Sequence, residues 1–240
     1  MLSLDRQNAQ REAYRAMRPS WQPATERFAS LVRAHLTPES RILDLGCGRG
    51  GLVEQLGHPL AQMVGIDPDW ASLREHRLPL PRAAARSEAL PLASKRFDLV
   101  YASWVLEHVS DPLALLSAIE RVLKPGGHFI FITPNKRHPL IALNRLLTRL
   151  GRWQTALVDQ LYGRAAADTF PAYYRANDPA GLRHLATLCG FTVATLDAIP
   201  DPTYLAFNST LFRAAIWLEE GVLRDRPVHL VGALHKRAGN

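Results

Sequence analysis

The residues best suited to chemistry lie where an apolar run breaks into glycines. Residues 41–51 read Arg-Ile-Leu-Asp-Leu-Gly-Cys-Gly-Arg-Gly-Gly. Ile42, Leu43 and Leu45 have the pattern of a buried strand with Asp44 embedded in it, and the run stops at Gly46. Gly46, Gly48 and Gly50 allow a sharp turn and leave room for a ligand to lie against the main chain. Leu52, Val53 and Leu56 predict a helix directly after the turn, whose N-terminal N–H groups and positive dipole end would face the ligand's polar groups. A second apolar run, Met63 to Ile66, ends at Asp67-Pro68-Asp69. A carboxylate there, roughly 20 residues past the first glycine, suits a ribose diol, so Asp67 is the expected ribose ligand. Asp69 reads instead as a helix cap before Trp70. The ensemble is a nucleoside-cofactor turn, with Gly46, Gly48 and Gly51 also spelling the GxGxxG of dinucleotide enzymes.

These residues need a sheet to carry them. Residues 82–86 are a weak third strand, Phe97 to Ser103 a clear fourth, and His128 to Thr133 a fifth. Asp111-Pro112 caps a helix with apolar positions Leu113, Leu116, Ile119, Val122 and Leu123, which Lys124-Pro125-Gly126-Gly127 ends. Asn177-Asp178-Pro179 starts another helix, which stops at Cys189-Gly190. Phe191 to Leu196 is the sixth strand, residues 204–220 an apolar helix, and Val228 to Leu234 a last strand. Strands alternating with helices imply an α/β domain, a mainly parallel sheet covered on both faces. Two helices fill residues 1–40, residues 41–135 form the cofactor-binding core, and 136–175 interrupt the rhythm as a helical cap after strand 5. Residues 176–240 complete the sheet. Leu140, Leu143, Leu146, Leu147 and Leu150 give the cap an apolar stripe, and a second segment runs from Arg152 to Tyr162. The stripe serves either core packing or transient contact with an anionic membrane surface.

Length and composition set the remaining bounds. A chain of 240 residues, 47% hydrophobic, can bury one full core, so a single domain is expected. Its 29 basic against 22 acidic residues give a formal charge of +7, compatible with an anionic partner or simply an arginine-rich surface. Cys47 and Cys189 are lone residues, which suggests neither a disulfide framework nor a metal site and fits a reducing, cytoplasmic setting. No apolar run approaches the roughly 18 residues of a spanning helix.

Taken together, ILDLGCGRGG, VGIDPDW, ALPLASKRFDLVYASWVLEHVSDP and LKPGGHFIFITPN resemble the class I S-adenosylmethionine-dependent methyltransferases of the small-molecule type, in order and in spacing. The resemblance implies a Rossmann-like seven-stranded sheet with an antiparallel last strand. It also implies that Asp44 and the Gly46, Cys47, Gly48 and Gly50 loop surround the methionine end of the cofactor, and that Asp67-Pro68 holds the ribose. Glu88 and Ala89 would approach the adenine, and Ser103-Trp104 would pass beneath the sulfonium. Arg86 stands where many relatives carry an acid, and a guanidinium cannot accept from an adenine amino group, so Glu88 would substitute. Carboxylates at Asp44 and Asp67 suit a cationic cofactor without phosphate, whereas the GxGxxG spacing keeps an NAD-dependent oxidoreductase open as the rival. A non-catalytic, membrane-associated protein of the same fold is a further alternative.

Methyl transfer needs a base only if the acceptor carries a proton. His108, in the Leu-Glu-His-Val segment after the fourth strand, is either that base or a structural cap. Tyr14 and Arg18 at the junction of the first two helices, and Tyr173 and Tyr174 at the cap exit, are the candidate acceptor-binding residues. Arg137, Arg145, Arg149, Arg152, Arg164 and Arg175 in or beside the cap suit a small or amphiphilic acceptor, anionic or lipid-linked. Nucleic acid is disfavoured, because no RNA-binding module or aromatic-interleaved basic patch is present.

Overall fold

A computed structural model describes residues 4–149 and 170–238. Two helices, α1 (Leu4–Met17) and α2 (Ala24–Ala34), precede the first strand. The strands are β1 (Ile42–Leu45), β2 (Met63–Asp67), β3 (Arg82–Ala84), β4 (Phe97–Ser103), β5 (Leu123–Pro134), β6 (Phe191–Ile199) and β7 (His229–Lys236). They form one seven-stranded sheet in the order β3-β2-β1-β4-β5-β7-β6. β7 runs antiparallel to both of its neighbours, and the other pairings are parallel.

The period-two alternation divides the sheet's side chains between two cores. Leu43, Leu45, Val100, Ala102, Phe129 and Phe131 belong to one, with helices α4 (Pro112–Val122) and α6 (Pro179–Leu188) packed over them. Ile42, Leu99, Tyr101, Ile130 and Ile132 belong to the other, covered by Phe28, Leu31 and Val32 of α2 and by Phe212 of α7 (Ser209–Trp217). Gly232 on β7 lets this sandwich close, because a Cβ there would meet Phe131 Cζ at 2.4 Å. Between β5 and β6 the described part of the cap is α5 (Pro139–Arg149); the second expected cap segment, Arg152 to Tyr162, lies outside the described residues.

The helix starts follow their side-chain caps. Asp69 accepts from the Ala71 and Ser72 N–H groups at the head of α3 (Trp70–Arg74), Asp111 from Leu113 and Ala114, and Asp178 from Gly181; each such cap contributes about 0.5–2 kcal/mol.

Elsewhere the elements differ from expectation for local reasons. The chain after the glycine loop makes only a 3-10 turn, Leu52–Gln55, because Gly57 and Pro59 interrupt any continuation. β5 begins five residues before His128, at Leu123: Phe97 pairs with Leu123 and Leu99 with His128, so Lys124-Pro125-Gly126-Gly127 is absorbed as an irregularity in the strand. The expected helix 204–220 is divided into a 3-10 turn (Pro202–Leu205), α7 and a π turn (Leu218–Val222). Asn208, whose side chain accepts from Leu211 N–H at 2.8 Å, starts α7 afresh.

Candidate active site

The strand order reverses between β1 and β4, and in open α/β sheets the crevice at the carboxyl ends of such a pair is where ligands bind. A cavity of about 510 Å³ opens there, bounded by Leu45 and Gly46 after β1, Ile66 and Asp67 at the end of β2, Ala85 after β3, and Ser103 and Trp104 at the end of β4. Its volume falls within the range of small-molecule and cofactor sites.

The backbone is specialised on both sides of the crevice. Gly46 has φ +76°, and a Cβ on it would stand 2.3 Å from Val105 Cγ2. Only glycine satisfies both constraints. Opposite it, Trp104 holds φ +59°, a conformation that costs a non-glycine residue about 1–3 kcal/mol and that clusters at functional sites. Trp104 N–H donates to Ile132 O at 3.1 Å, and its ring meets His229 edge-to-face at 5.2 Å.

Asp67 is held ready for a diol. Its Oδ2 accepts from Gly48 N–H at 2.9 Å and its Oδ1 from Asp69 N–H at 2.8 Å. Each carboxylate oxygen has two lone pairs, so each retains one for a hydroxyl. Burial raises the Asp67 pKa, against the two N–H donors that favour the charged form. Glu88 lies across the cavity, with its Oε2 accepting from Ser87 at 3.0 Å and its Oε1 from Ser110 at 3.2 Å. Burial alone would raise its pKa, but these hydroxyls, a backbone N–H and the Arg86 charge together lower it. Arg86 is on the rim, 3.6 Å from Glu88.

Of the residues singled out from sequence, Gly46, Gly48, Asp67, Pro68, Glu88, Ser103, Trp104, His108 and Tyr173 line this cavity. Asp44, Cys47, Gly50, Ala89 and Tyr174 do not. Asp44 is buried beneath the glycine loop, opposite Gly65 and Tyr101 in the sheet. Burial pushes its carboxyl up to about 7; the Tyr101 hydroxyl, which makes no hydrogen bond of regular geometry, offsets this only in part, and the Asp67 charge adds to it. The Cys47 side chain occupies the space over Gly65, and burial pushes its thiol up to about 12. Gly50 closes the turn by donating to Cys47 O at 2.9 Å, and Ala89 N–H donates to Arg86 O in an exposed turn. Tyr174, buried and at φ +52°, lies under the Arg145 guanidinium.

Tyr14 and Arg18 are not brought to the crevice. The Tyr14 hydroxyl donates to Glu220 Oε1 at 3.0 Å and Arg18 to Glu220 Oε2 at 2.7 Å, clasping α1 to the π turn. Burial and the Glu220 contact raise the Tyr14 pKa. An acidic partner some 200 residues away was not visible from their local spacing.

His108 sits on the rim with its Nδ1 3.0 Å from Pro171 O. A carbonyl only accepts, so Nδ1 carries a proton. Phe170, Pro171 and Tyr173 complete that side. They are fixed by Glu107, whose backbone carbonyl accepts from Tyr173 N–H at 2.7 Å and Tyr174 N–H at 3.1 Å. Its side chain is buried and accepts from Thr133 at 3.0 Å, and Asn177 in turn donates to Thr133. Sequence reasoning missed Glu107, Phe170 and Pro171, as well as Arg49, Ser72 and Ser87 around the cofactor half. Only the Leu-Glu-His run carried any sign of Glu107. Among the described residues, no group of three His, Cys, Asp or Glu side chains is arranged to hold a metal ion.

A crevice with a diol-ready carboxylate at Asp67 and a second carboxylate at Glu88 suits a ribose-bearing cofactor without phosphate. Comparison with known proteins agrees: residues 12–196 match the family described as "Methyltransferase domain". The chain belongs to the class I S-adenosylmethionine-dependent methyltransferases. Its cofactor is accordingly S-adenosyl-L-methionine, and nothing supports the nicotinamide alternative.

Two curated relatives of this methyltransferase are both named ubiquinone biosynthesis O-methyltransferase. The one from Cereibacter sphaeroides is 36% identical over 110 residues, which is 43% of this chain and 44% of that protein. The one from Alkalilimnicola ehrlichii is 40% identical over 104 residues, 40% of this chain and 42% of that protein. The chain therefore aligns with less than half the length of these relatives. Among solved structures, an S-adenosylmethionine-dependent methyltransferase from Mesorhizobium loti has a TM-score of 0.57 at 19% identity, covering 86% of this chain and 96% of that one, and so shares its fold.

Proposed function

We propose that this methyltransferase transfers a methyl group to a hydroxyl of a small or amphiphilic acceptor. The observation that carries the reading is the shape of the crevice between β1 and β4. Its inner part presents Asp67 and Glu88, and its outer rim presents His108, Phe170 and Tyr173. The cofactor supplies an already activated methyl on a sulfonium. The chain's own residues then have to bind, align and deprotonate. Asp67 would take the ribose diol, Glu88 would lie near the adenine, and the backbone at Ser103 and Trp104 would run beneath the reacting end. Phe170 and Tyr173 would flank the acceptor and exclude water. His108, oriented by its Nδ1 contact with Pro171 O, would receive the hydroxyl proton.

The O-methyltransferase relatives support oxygen as the acceptor atom, though only across the shared stretch. Arg175, whose guanidinium lies 5.8 Å from the Tyr173 ring centroid, supplies a cation near the rim. Exposed Leu143 and Leu146 on α5 and Leu211 and Trp217 on α7 favour an acceptor met at an anionic lipid surface, although no helix among the described residues is long and apolar enough to cross a membrane.

The test is label transfer from methyl-tritiated S-adenosylmethionine to alkyl-substituted catechols, phenols and matched amines, in the presence and absence of anionic vesicles. Transfer to hydroxyl acceptors is expected, with His108→Ala lowering turnover by about 10²–10⁴ at unchanged cofactor affinity. Transfer to the amines alone would reject the oxygen assignment, and full turnover by His108→Ala would reject the base.

A further inference from the structure

Trp104 lies on the side of the sheet opposite to the one its strand assigns it. Along β4, Val100 and Ala102 face the core under α4 and α6, and Leu99 and Tyr101 face the core under α2 and α7. Strict alternation would send Trp104 to the first side, with Ala102. Its N–H still continues the ladder, donating to Ile132 O at 3.1 Å, but its φ of +59° turns the chain out of register. The side chain packs against the second core instead, and Val105 takes the place against the first. A tryptophan keeps a left-handed conformation only where its surroundings over-determine it.

Two residues supply that constraint. His229 opens β7 and shares the alternation of Val231 and Ala233, so it faces the same side as the displaced indole. Its backbone is fixed between Pro134 of β5 and Ile199 of β6, and its ring meets Trp104 edge-to-face with centroids 5.2 Å apart. His229 is buried, and its Nε2 is 3.0 Å from the Tyr204 hydroxyl, whereas its Nδ1 has no hydrogen-bond partner among the described residues. The Tyr204 ring also meets the imidazole edge-to-face at 5.6 Å. Tyr204 stands in the 3-10 turn Pro202–Leu205, which Asp201 anchors by accepting from the Thr203 N–H and hydroxyl through Oδ1 and from Arg11 through Oδ2. Burial lowers the His229 pKa to about 4, so the ring against Trp104 is neutral at pH 7. Trp104 lines the crevice, and neither His229 nor Tyr204 does.

We infer that Tyr204 and His229 are positioning residues for methyl transfer, which hold Trp104 in its left-handed conformation so that the end of β4 presents one fixed surface to the reacting atoms. The inference rests on the methyl-transfer reading above and adds what keeps its reacting end in place. Released from His229, the indole gains other conformations, and the alignment of acceptor and methyl is lost in part of the population. The loss falls on kcat, because alignment is needed in the transition state, and not on cofactor affinity.

The experiment uses the full chain with its indole N–H groups labelled with nitrogen-15 and saturated with S-adenosylhomocysteine, the Trp104 signal being identified by its loss in Trp104→Phe. A single sharp Trp104 signal is expected in the wild type. Tyr204→Phe removes only the hydroxyl that tethers His229, yet it should broaden or split that signal, and His229→Leu should do so more strongly. Turnover is measured with whichever acceptor of the catechol, phenol and amine panel is most active. Tyr204→Phe should lower kcat about threefold and His229→Leu about tenfold, with S-adenosylhomocysteine affinity kept within about twofold. His229→Phe, which keeps a ring against Trp104, should recover most of the loss. In a Trp104→Gly background, where neither strain nor ring remains, Tyr204→Phe should cost nothing further. If His229→Leu does not fold, Tyr204→Phe and its cycle with Trp104→Gly carry the test; if no acceptor is turned over, the Trp104 signal decides it. A single sharp signal in both variants, full kcat in both, or an undiminished effect of Tyr204→Phe in the Trp104→Gly background would each overturn the inference. If amines alone are methylated and both variants lose kcat on them, the positioning stands and the O-transfer reading fails. If hydroxyl acceptors are methylated at full rate by both variants, the reverse holds.

Discussion

Gly46→Ala isolates the geometry on which the cofactor crevice depends. The residue sits at φ +76°, so any L side chain there costs about 1–2 kcal/mol of left-handed backbone. The new methyl would stand 2.3 Å from Val105 Cγ2, forcing Val105, which lines the crevice, off its rotamer. That adds about 0.5–1.5 kcal/mol. The combined loss of roughly 1.5–3.5 kcal/mol corresponds to a fall in Tm of about 3–14 °C for a chain of this size. Because Val105 lines the crevice, its displacement should also lower S-adenosylhomocysteine affinity, at least tenfold. The two effects separate in a double-mutant cycle, read by thermal unfolding and by calorimetric titration. Adding Val105→Ala to Gly46→Ala removes the collision and should restore affinity, while the backbone cost remains in the Tm. Wild-type affinity in Gly46→Ala, or no recovery in the double variant, would refute the reasoning.

Three further variants test individual roles. Asp67→Asn keeps the shape but loses the charged acceptor for the diol, and should weaken S-adenosylhomocysteine binding by about 1.5–3 kcal/mol in titration calorimetry, the worth of a hydrogen bond to a charged group. Asp44→Asn should stabilise the protein at alkaline pH and not at pH 4. The folded pKa of Asp44, about 7, lies above its ordinary 3.8, so the native state holds the extra proton, and that stabilisation is full below 3.8 and lost as pH rises through 7. The gain over wild type in denaturant titrations should therefore grow between pH 4 and pH 7–8, reaching about 4 kcal/mol at most; a pH-independent difference would contradict the burial argument. Tyr14→Phe should cost about 1 kcal/mol of stability through the lost Glu220 bond, with cofactor affinity and acceptor KM unchanged. A raised KM would return Tyr14 to the acceptor site.

How far the sequence could be read follows the range of the interactions. The glycine turn, the Asp67 position and the caps at Asp69, Asp111 and Asp178 depend on neighbours a few residues away, and they stand in the fold where local pattern put them. The mainly parallel α/β sheet was legible because strand and helix alternate, and the antiparallel seventh strand came through the family resemblance. Distant pairings were not legible. Glu220 draws Tyr14 and Arg18 away from the crevice, the Glu107 carbonyl carries residues 170–174 onto its rim, and His138 meets Glu219 across 81 residues. Asp44 was read as a cofactor contact because its position in the motif is local. Whether its side chain points to the crevice or under the floor depends on the facing Tyr101, which is set by sheet register. The 3-10 turn at Leu52–Gln55 shows the same limit on a smaller scale, since the apolar spacing was helical and the downstream Gly57 and Pro59 decided the length.

The central claim is that the crevice between β1 and β4 holds S-adenosylmethionine, with Asp67 on its ribose. The most direct measurement is calorimetric titration of the wild-type chain and Asp67→Asn with S-adenosylhomocysteine and, separately, with NAD. Expected are micromolar binding of S-adenosylhomocysteine by the wild type, a marked weakening in Asp67→Asn, and no binding of NAD. Binding of NAD without S-adenosylhomocysteine, or equal S-adenosylhomocysteine affinity in the two proteins, would contradict it.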